Sequence, residues 1–287
     1  MLLSIANAQL SAKIDTHGAE LKSLKMQANG MEFLWQGDPA VWADSAPFLF
    51  PVVARQLDDF YVLDGQTYTM PMHGFAKDSD FELVETTDRS LTLSLGANET
   101  TCKWYPFQFK LITSFMLVDS LLEVRHEVEN RGSVDMPFSI GEHPGFRVPM
   151  SEGDVLSDYY LEFSASENAE RWYLDDEIIC GSEPYLSGNK ILITASIFDR
   201  GALIFKHLQS DNVVLRSKNH EHSITMDLRG WEYLGIWAKP GANYVCIEPW
   251  NGLASSKWSS HDIWKKEGIR RLAPGQKECF TMRIGVK

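Results

Sequence analysis

An all-β fold with antiparallel sheets packed face to face is what this sequence predicts, and three observations carry the prediction. Alternating apolar and polar residues recur in many short runs. Helical periodicity of any length is nearly absent. Gly, Asp, Asn and Pro punctuate the runs at close spacing, as antiparallel connections require, whereas a parallel sheet would need helical crossovers between strands.

The first clear element is SLTLSLGA at 90–97, which alternates strictly. FQFKLITSFMLV at 107–118 follows, with Phe107, Phe109, Leu111, Phe115 and Leu117 on one face of a period-two strand. Asp119-Ser120 is a turn-type pair, and LLEVRHEVEN at 121–130 puts Leu122, Val124, His126 and Val128 on one side and four charged residues on the other, so the two runs read as a hairpin. His126 lies on the apolar side and is expected to be a core histidine with a local partner. Further strands are expected at 191–198, 202–208, 212–217, 223–228, 233–238, 243–248 and 278–286, with short helical turns at 40–46 and 261–267. No repeat or linker-like stretch interrupts the series, so residues 1–287 are expected to form one domain.

Composition narrows the function classes. A net charge of -12 without any basic cluster argues against nucleic acid as a partner. No run of about 18 apolar residues exists to span a bilayer, and MLLSIANAQL lacks the basic region of an export signal, so a soluble, cytoplasmic protein is expected. Cys102, Cys180, Cys246 and Cys279 lie far apart, as isolated thiols rather than a disulfide frame or zinc motif. Oligomeric state has no signature.

Four segments carry polar residues that a plain sandwich does not need: PFLFPVVARQ (47–56), MPMHGFAKD (70–78), GEHPGF (141–146) and CIEPWNG (246–252). His73 and His143 each sit beside turn-formers that fix side-chain direction, and satisfied turn histidines are the competing reading. Glu248 emerges at the end of an apolar run, where burial demands a partner or raises its pKa into the range of a useful base; a Glu bonded to a neighbouring loop is the alternative. Arg55 ends another apolar run and offers a planar fork of donors to hydroxyls or to Glu248, or else forms a surface ion pair. YLDDEII at 173–179 and HDIWKKEGIRR at 261–271 read as solvated faces without a role. His73, His143 and Glu248 come from separate segments without metal-type spacing, so no metal is expected, and no nucleotide-binding motif is present.

Taken in order, PFLFPVVAR, MPMHGFA, GEHPGF and CIEPWNG resemble the aldose 1-epimerase (galactose mutarotase) family, more closely its LacX-like branch, and GIRRLAPGQKECFTMRIGV resembles the family's closing strands. The resemblance covers the whole chain. It implies a large β-sandwich of the galactose mutarotase-like (supersandwich) type, a sugar as small-molecule substrate and no cofactor. It further implies Glu248 as general base, His143 as general acid, and His73 and Arg55 as residues that hold and polarise the substrate. Aromatic side chains such as Trp250 or Phe146 are candidates to stack on the sugar, or else belong to the core. Two positions depart from the pattern. Gly201 in FDRGALIF stands where many such relatives have an aspartate, with Asp199 the candidate replacement; Glu142 stands where a small residue is usual, either raising the pKa of His143 or facing solvent. The expected activity is interconversion of α and β anomers of an aldohexose such as galactose. The alternatives are a non-catalytic carbohydrate-binding or regulatory protein, and a hexose-phosphate mutarotase, which would need more cations than Arg55 and Lys77 supply.

Overall fold

A computed structural model describes residues 1–287. Strands carry the chain, and helix is confined to the α-turn Thr101–Trp104 and four 3-10 turns. The expected hairpin forms with Phe109–Val118 against Leu121–Asn130, closed by Val118 opposite Leu121, and Asp119 takes φ 50, a left-handed conformation that a short polar residue tolerates. Its inward face is the predicted one: Leu122, Val124, His126 and Val128 are all buried.

Thirteen strands follow one another in hydrogen-bonded order in a 15-stranded sheet, every pairing antiparallel. Residues from both ends of that order, Leu93 and Phe115 from one and Phe205 and Ile247 from the other, join a single cluster of 65 buried apolar side chains. So wide a sheet buries its apolar face by folding over on itself, which gives the antiparallel β-sandwich that the alternation predicts. No helix is long and apolar enough to cross a membrane.

Two elements differ from expectation. The run ILITASIF at 191–198 is not a strand: the strand Ile178–Leu192 ends there, and Ile197, Asp199 and Gly201 donate to carbonyls three residues back in successive turns. Ile193 and Phe198 remain buried, so the apolar run marks two core anchors rather than a ladder. The second difference is a long hairpin, Tyr159–Asp175 with Ile178–Leu192, whose tip is the YLDDEII segment. Asp176 and Glu177 form its two-residue turn at φ 51 and 60. A helical turn is present near the first predicted position, where Trp42 N–H donates to Asp38 O, and the second is the 3-10 turn Ile263–Lys265.

Candidate active site

Strand Tyr244–Asn251 is buried along its whole length; Val245, Cys246 and Ile247 belong to the core, while Glu248 and Trp250 share the face that meets the cavity. Its neighbour is the GEHPGF segment, with Gly141 opposite Trp250 and Gly145 opposite Cys246. Both registers place His143 opposite Glu248. The ladder opens at Pro144, which has no N–H to give, while Pro144 O accepts from Ile247 N at 3.2 Å and His143 N–H donates to Pro47 O at 3.2 Å. Cross-strand neighbours on one face are in reach of each other, and His143 Nε2 lies 3.1 Å from Glu248 Oε2.

The same alternation disposes of two expectations. Glu142 and Phe146 belong to the other face. Glu142 is buried and pairs with His126 Nε2, so it neither faces solvent nor raises the pKa of His143. His126 is the core histidine expected of it: Nδ1 is 3.0 Å from Thr113 Oγ1 and its ring stacks on Phe48 at 4.1 Å. Phe146 is fully buried in the core and does not meet the cavity. Removing one member of such a buried pair strands the other, so Glu142→Ala is expected to lower unfolding stability by about 3 kcal/mol, read as a shift in denaturation midpoint.

His143 and Glu248 open onto a cavity of about 290 Å³, near the lower end of small-molecule sites. Trp250 forms its floor. The indole lies across Gly141 and Gly235, where an added Cβ would come within 2.5 and 2.6 Å of ring carbons, so both glycines are required for this ring to lie flat. Trp42 and Trp237 flank His143 with ring centroids at 5.2 and 5.7 Å. These two tryptophans had no sequence motif around them.

His73 reaches the same cavity from MPMHGFA, its ring 5.5 Å from that of His143 in a T-shaped arrangement. Gly74 makes this possible: at φ 75 its Cα passes so close to Phe50 O that a Cβ would lie 2.2 Å away. Ala54 N–H donates to His73 Nδ1 at 3.2 Å, which leaves the ring proton on Nε2. Burial, and then the positive Lys77, lower the His73 pKa to about 4, so at neutral pH it is an uncharged donor.

Electrostatically His143 and Glu248 are held in an uncommon state. Burial pushes His143 well below the ordinary histidine value, with further lowering from His73 and Lys77. Burial pushes Glu248 well above the ordinary carboxylate value, with Glu177 adding a like charge. Their 3.1 Å approach is not aligned as a hydrogen bond, and Glu248 Oε2, His143 Nδ1 and Trp250 Nε1 are all buried without a hydrogen-bond partner. Three orphaned polar atoms around one cavity are what a hydroxylated ligand would satisfy.

Arg55 is placed elsewhere. Its guanidinium forms a fork with both oxygens of Asp59 at 2.7 and 2.8 Å and an ion pair with Asp176 at 2.7 Å, and it is not part of the cavity wall. Asp199 is exposed and off the wall too; the segment after Gly201 contributes only Ala202 and Ile204. The wall instead carries Asp44, Glu177 and Lys77. As for a metal, His143, Cys246 and Glu248 do come together, with ligand atoms within 4.8 Å, a donor set of zinc type. Burial holds the Cys246 thiol well above its ordinary pKa, so on its own it stays protonated.

The family model for aldose 1-epimerase matches residues 1–278. The chain belongs to the aldose 1-epimerase family. Within the family it is similar to the plasmid-encoded protein LacX of Lactococcus lactis subsp. lactis, at 29% identity over 96% of this chain and 95% of that protein. Among solved structures it is similar to a galactose mutarotase related enzyme from Lactobacillus acidophilus, at 33% identity and TM-score 0.97 over 100% of this chain and 97% of that one. A galactose mutarotase-like protein from Lactobacillus casei matches at 32% identity and TM-score 0.95 over the full length of both chains. In this aldose 1-epimerase relative, three of the four positions that the motifs single out converge on one cavity, and the fourth, Arg55, stands behind its rim.

Proposed function

We propose that this protein is a cofactor-independent aldose 1-epimerase acting on an unphosphorylated aldohexose such as galactose or glucose. The observation that carries the proposal is the His143–Glu248 contact of 3.1 Å inside a cavity whose buried polar atoms lack partners. The Glu248 carboxylate takes the proton of the C1 hydroxyl while protonated His143 gives its proton to the ring oxygen; the C1–O bond of the ring breaks and the C1 carbonyl forms. Rotation about C1–C2 and reclosure with the roles exchanged yields the other anomer and restores the pair. His73, as a neutral donor, is suited to hold a sugar oxygen during ring opening, and Trp250 offers an apolar surface for a pyranose face.

The pair needs one proton between its two members. In the empty cavity burial keeps that proton on Glu248, because a neutral acid and a neutral imidazole avoid two buried charges. Sugar hydroxyls supply the hydrogen bonds that the charged form lacks and relay the proton from Glu248 to His143, which leaves the carboxylate as base. The sign of the pH dependence follows. Acid removes activity only when a second proton reaches the imidazole, well below 6.5, and alkali only when the shared proton leaves the carboxyl, well above 4.5. The acid limb of kcat/KM is therefore expected well below 6.5, and an acid limb centred near 6.5 would contradict it.

Charge selects the substrate class. The wall carries Asp44 and Glu177 against one cation, Lys77, which is itself 3.0 Å from Asp78. A phosphate dianion would meet carboxylates without an arginine fork. Polarimetry of freshly dissolved α-galactose and α-glucose should show accelerated approach to equilibrium over buffer, with the 6-phosphates accelerated far less. Sugar binding without acceleration would replace this reading by a binding protein, and preference for the phosphates by a hexose-phosphate mutarotase.

A further inference from the structure

The wall of the cavity carries two carboxylates, Asp44 and Glu177, that have no hydrogen-bond or ion-pair partner in the protein, and the nearby cations are engaged elsewhere: Lys77 beside Asp78, Lys22 beside Glu20, Arg55 beside Asp59 and Asp176, Lys257 beside Asp175. Partial burial pushes both carboxyls above their ordinary pKa, and Lys77 opposes the shift at Asp44 as Arg55 does at Glu177. Glu177 is an exposed rim residue that lines the same cavity as His143 and Glu248.

Its placement is built rather than incidental. The long hairpin brings its tip back to the site, and ties hold the tip there on both flanks of the turn. Arg55 donates to Asp176 O at 3.1 Å and pairs with its carboxylate, and Lys257 Nζ lies 2.6 Å from Asp175. Beyond the turn, Ile179 N–H donates to Ser255 O at 2.9 Å and Lys257 N–H to Ile179 O at 2.9 Å. Leu174 and Glu177 thereby close one side of the cavity. Beside Leu174 the segment after Gly201 contributes Ala202 and Ile204 but no carboxylate.

We propose that Asp44 and Glu177 are the specificity-determining carboxylates of this sugar site, accepting hydroxyls remote from C1, and that Arg55 acts as the latch that holds the Glu177 turn in place. This rests on the mutarotase reading of the same cavity. Two acceptors on the rim take the place of the one absent at Gly201, and their charge excludes a phosphorylated hexose. Arg55 is then a positioning residue: its effect passes through Asp176 to Glu177.

The test is steady-state mutarotation of galactose by wild type and variants, with kcat and KM resolved. Glu177→Ala and Asp44→Ala should each raise KM about tenfold while kcat stays within about threefold, the pattern of lost substrate binding. Arg55→Ala and Asp176→Asn should each raise KM, and the double variant should be no worse than the poorer single one, because both release one latch. Asp44→Asn with Glu177→Gln should raise the kcat/KM ratio of galactose 6-phosphate to galactose at least about tenfold. Unchanged KM in both alanine variants of an active enzyme overturns the proposal alone. So does a large effect of Arg55→Ala with none of Asp176→Asn, since Arg55 would then touch the sugar itself. An inactive wild type overturns the mutarotase reading instead, and calorimetric titration with galactose then decides: binding that weakens in Glu177→Ala and Asp44→Ala supports the assignment, and binding that is unchanged or absent in wild type defeats it.

Discussion

Glu248→Gln is expected to reduce the enzymatic acceleration of anomer interconversion by about 10²–10⁴-fold, with the fold intact and KM little changed. The side chain is 1% exposed on a strand buried end to end, so an isosteric amide keeps the packing over Gly235 and beside Trp250. What it loses is the capacity to take a proton from the C1 hydroxyl. Burial raises the Glu248 carboxyl above the ordinary carboxylate value, which makes its ionised form a stronger base toward the C1 hydroxyl. Glutamine has no such state. Polarimetry against a buffer blank, with circular dichroism as the control of fold, checks the result; residual acceleration within a few-fold of wild type would remove Glu248 from the chemistry.

His143→Ala is expected to lose activity to a similar extent, by a different route. The imidazole is the cross-strand partner of Glu248, and its removal deletes the donor to the ring oxygen and leaves the carboxyl buried without its neighbour. The Glu248 carboxyl should then be harder still to ionise. Alanine also opens space between Trp42 and Trp237, so a modest fall in stability is expected alongside the catalytic loss. His143→Gln separates the two effects: it refills most of the volume but carries no titratable proton, and it should regain stability without regaining rate. Recovery of activity in His143→Gln would mean that the histidine serves packing or hydrogen bonding rather than proton transfer.

His143 and Glu248 stood out in the sequence by type and motif, but their contact depends on a strand register that the sequence does not encode. GEHPGF and CIEPW run in opposite directions, and once Gly141 meets Trp250, His143 must meet Glu248. The same period-two rule places Glu142 and Phe146 on the far face, where Glu142 meets His126 and Phe146 joins the core. The hairpin from Tyr159 to Leu192 was not legible. Its strands mix polar and apolar residues with shifts of register, and its turn is Asp176-Glu177 rather than an Asn-Gly or Asp-Gly pair, so neither strand nor turn signal stood out. Glu177 and Leu174 were therefore read as part of a solvated charge run. Arg55 illustrates a different limit. Its type and motif fit a substrate contact, but the direction of a long side chain depends on Asp59 and on Asp176, the latter more than a hundred residues away, and no local pattern encodes that.

The most direct test of the acid–base pair compares the initial polarimetric rates of α-galactose with wild type, Glu248→Gln, His143→Ala and the double variant at one neutral pH. Groups that act as a unit lose their contribution once. The expected result is strong acceleration by wild type alone, with the double variant no slower than the poorer single variant. Acceleration that survives in the double variant at a substantial fraction of the wild-type rate would contradict the assignment of Glu248 and His143 as base and acid.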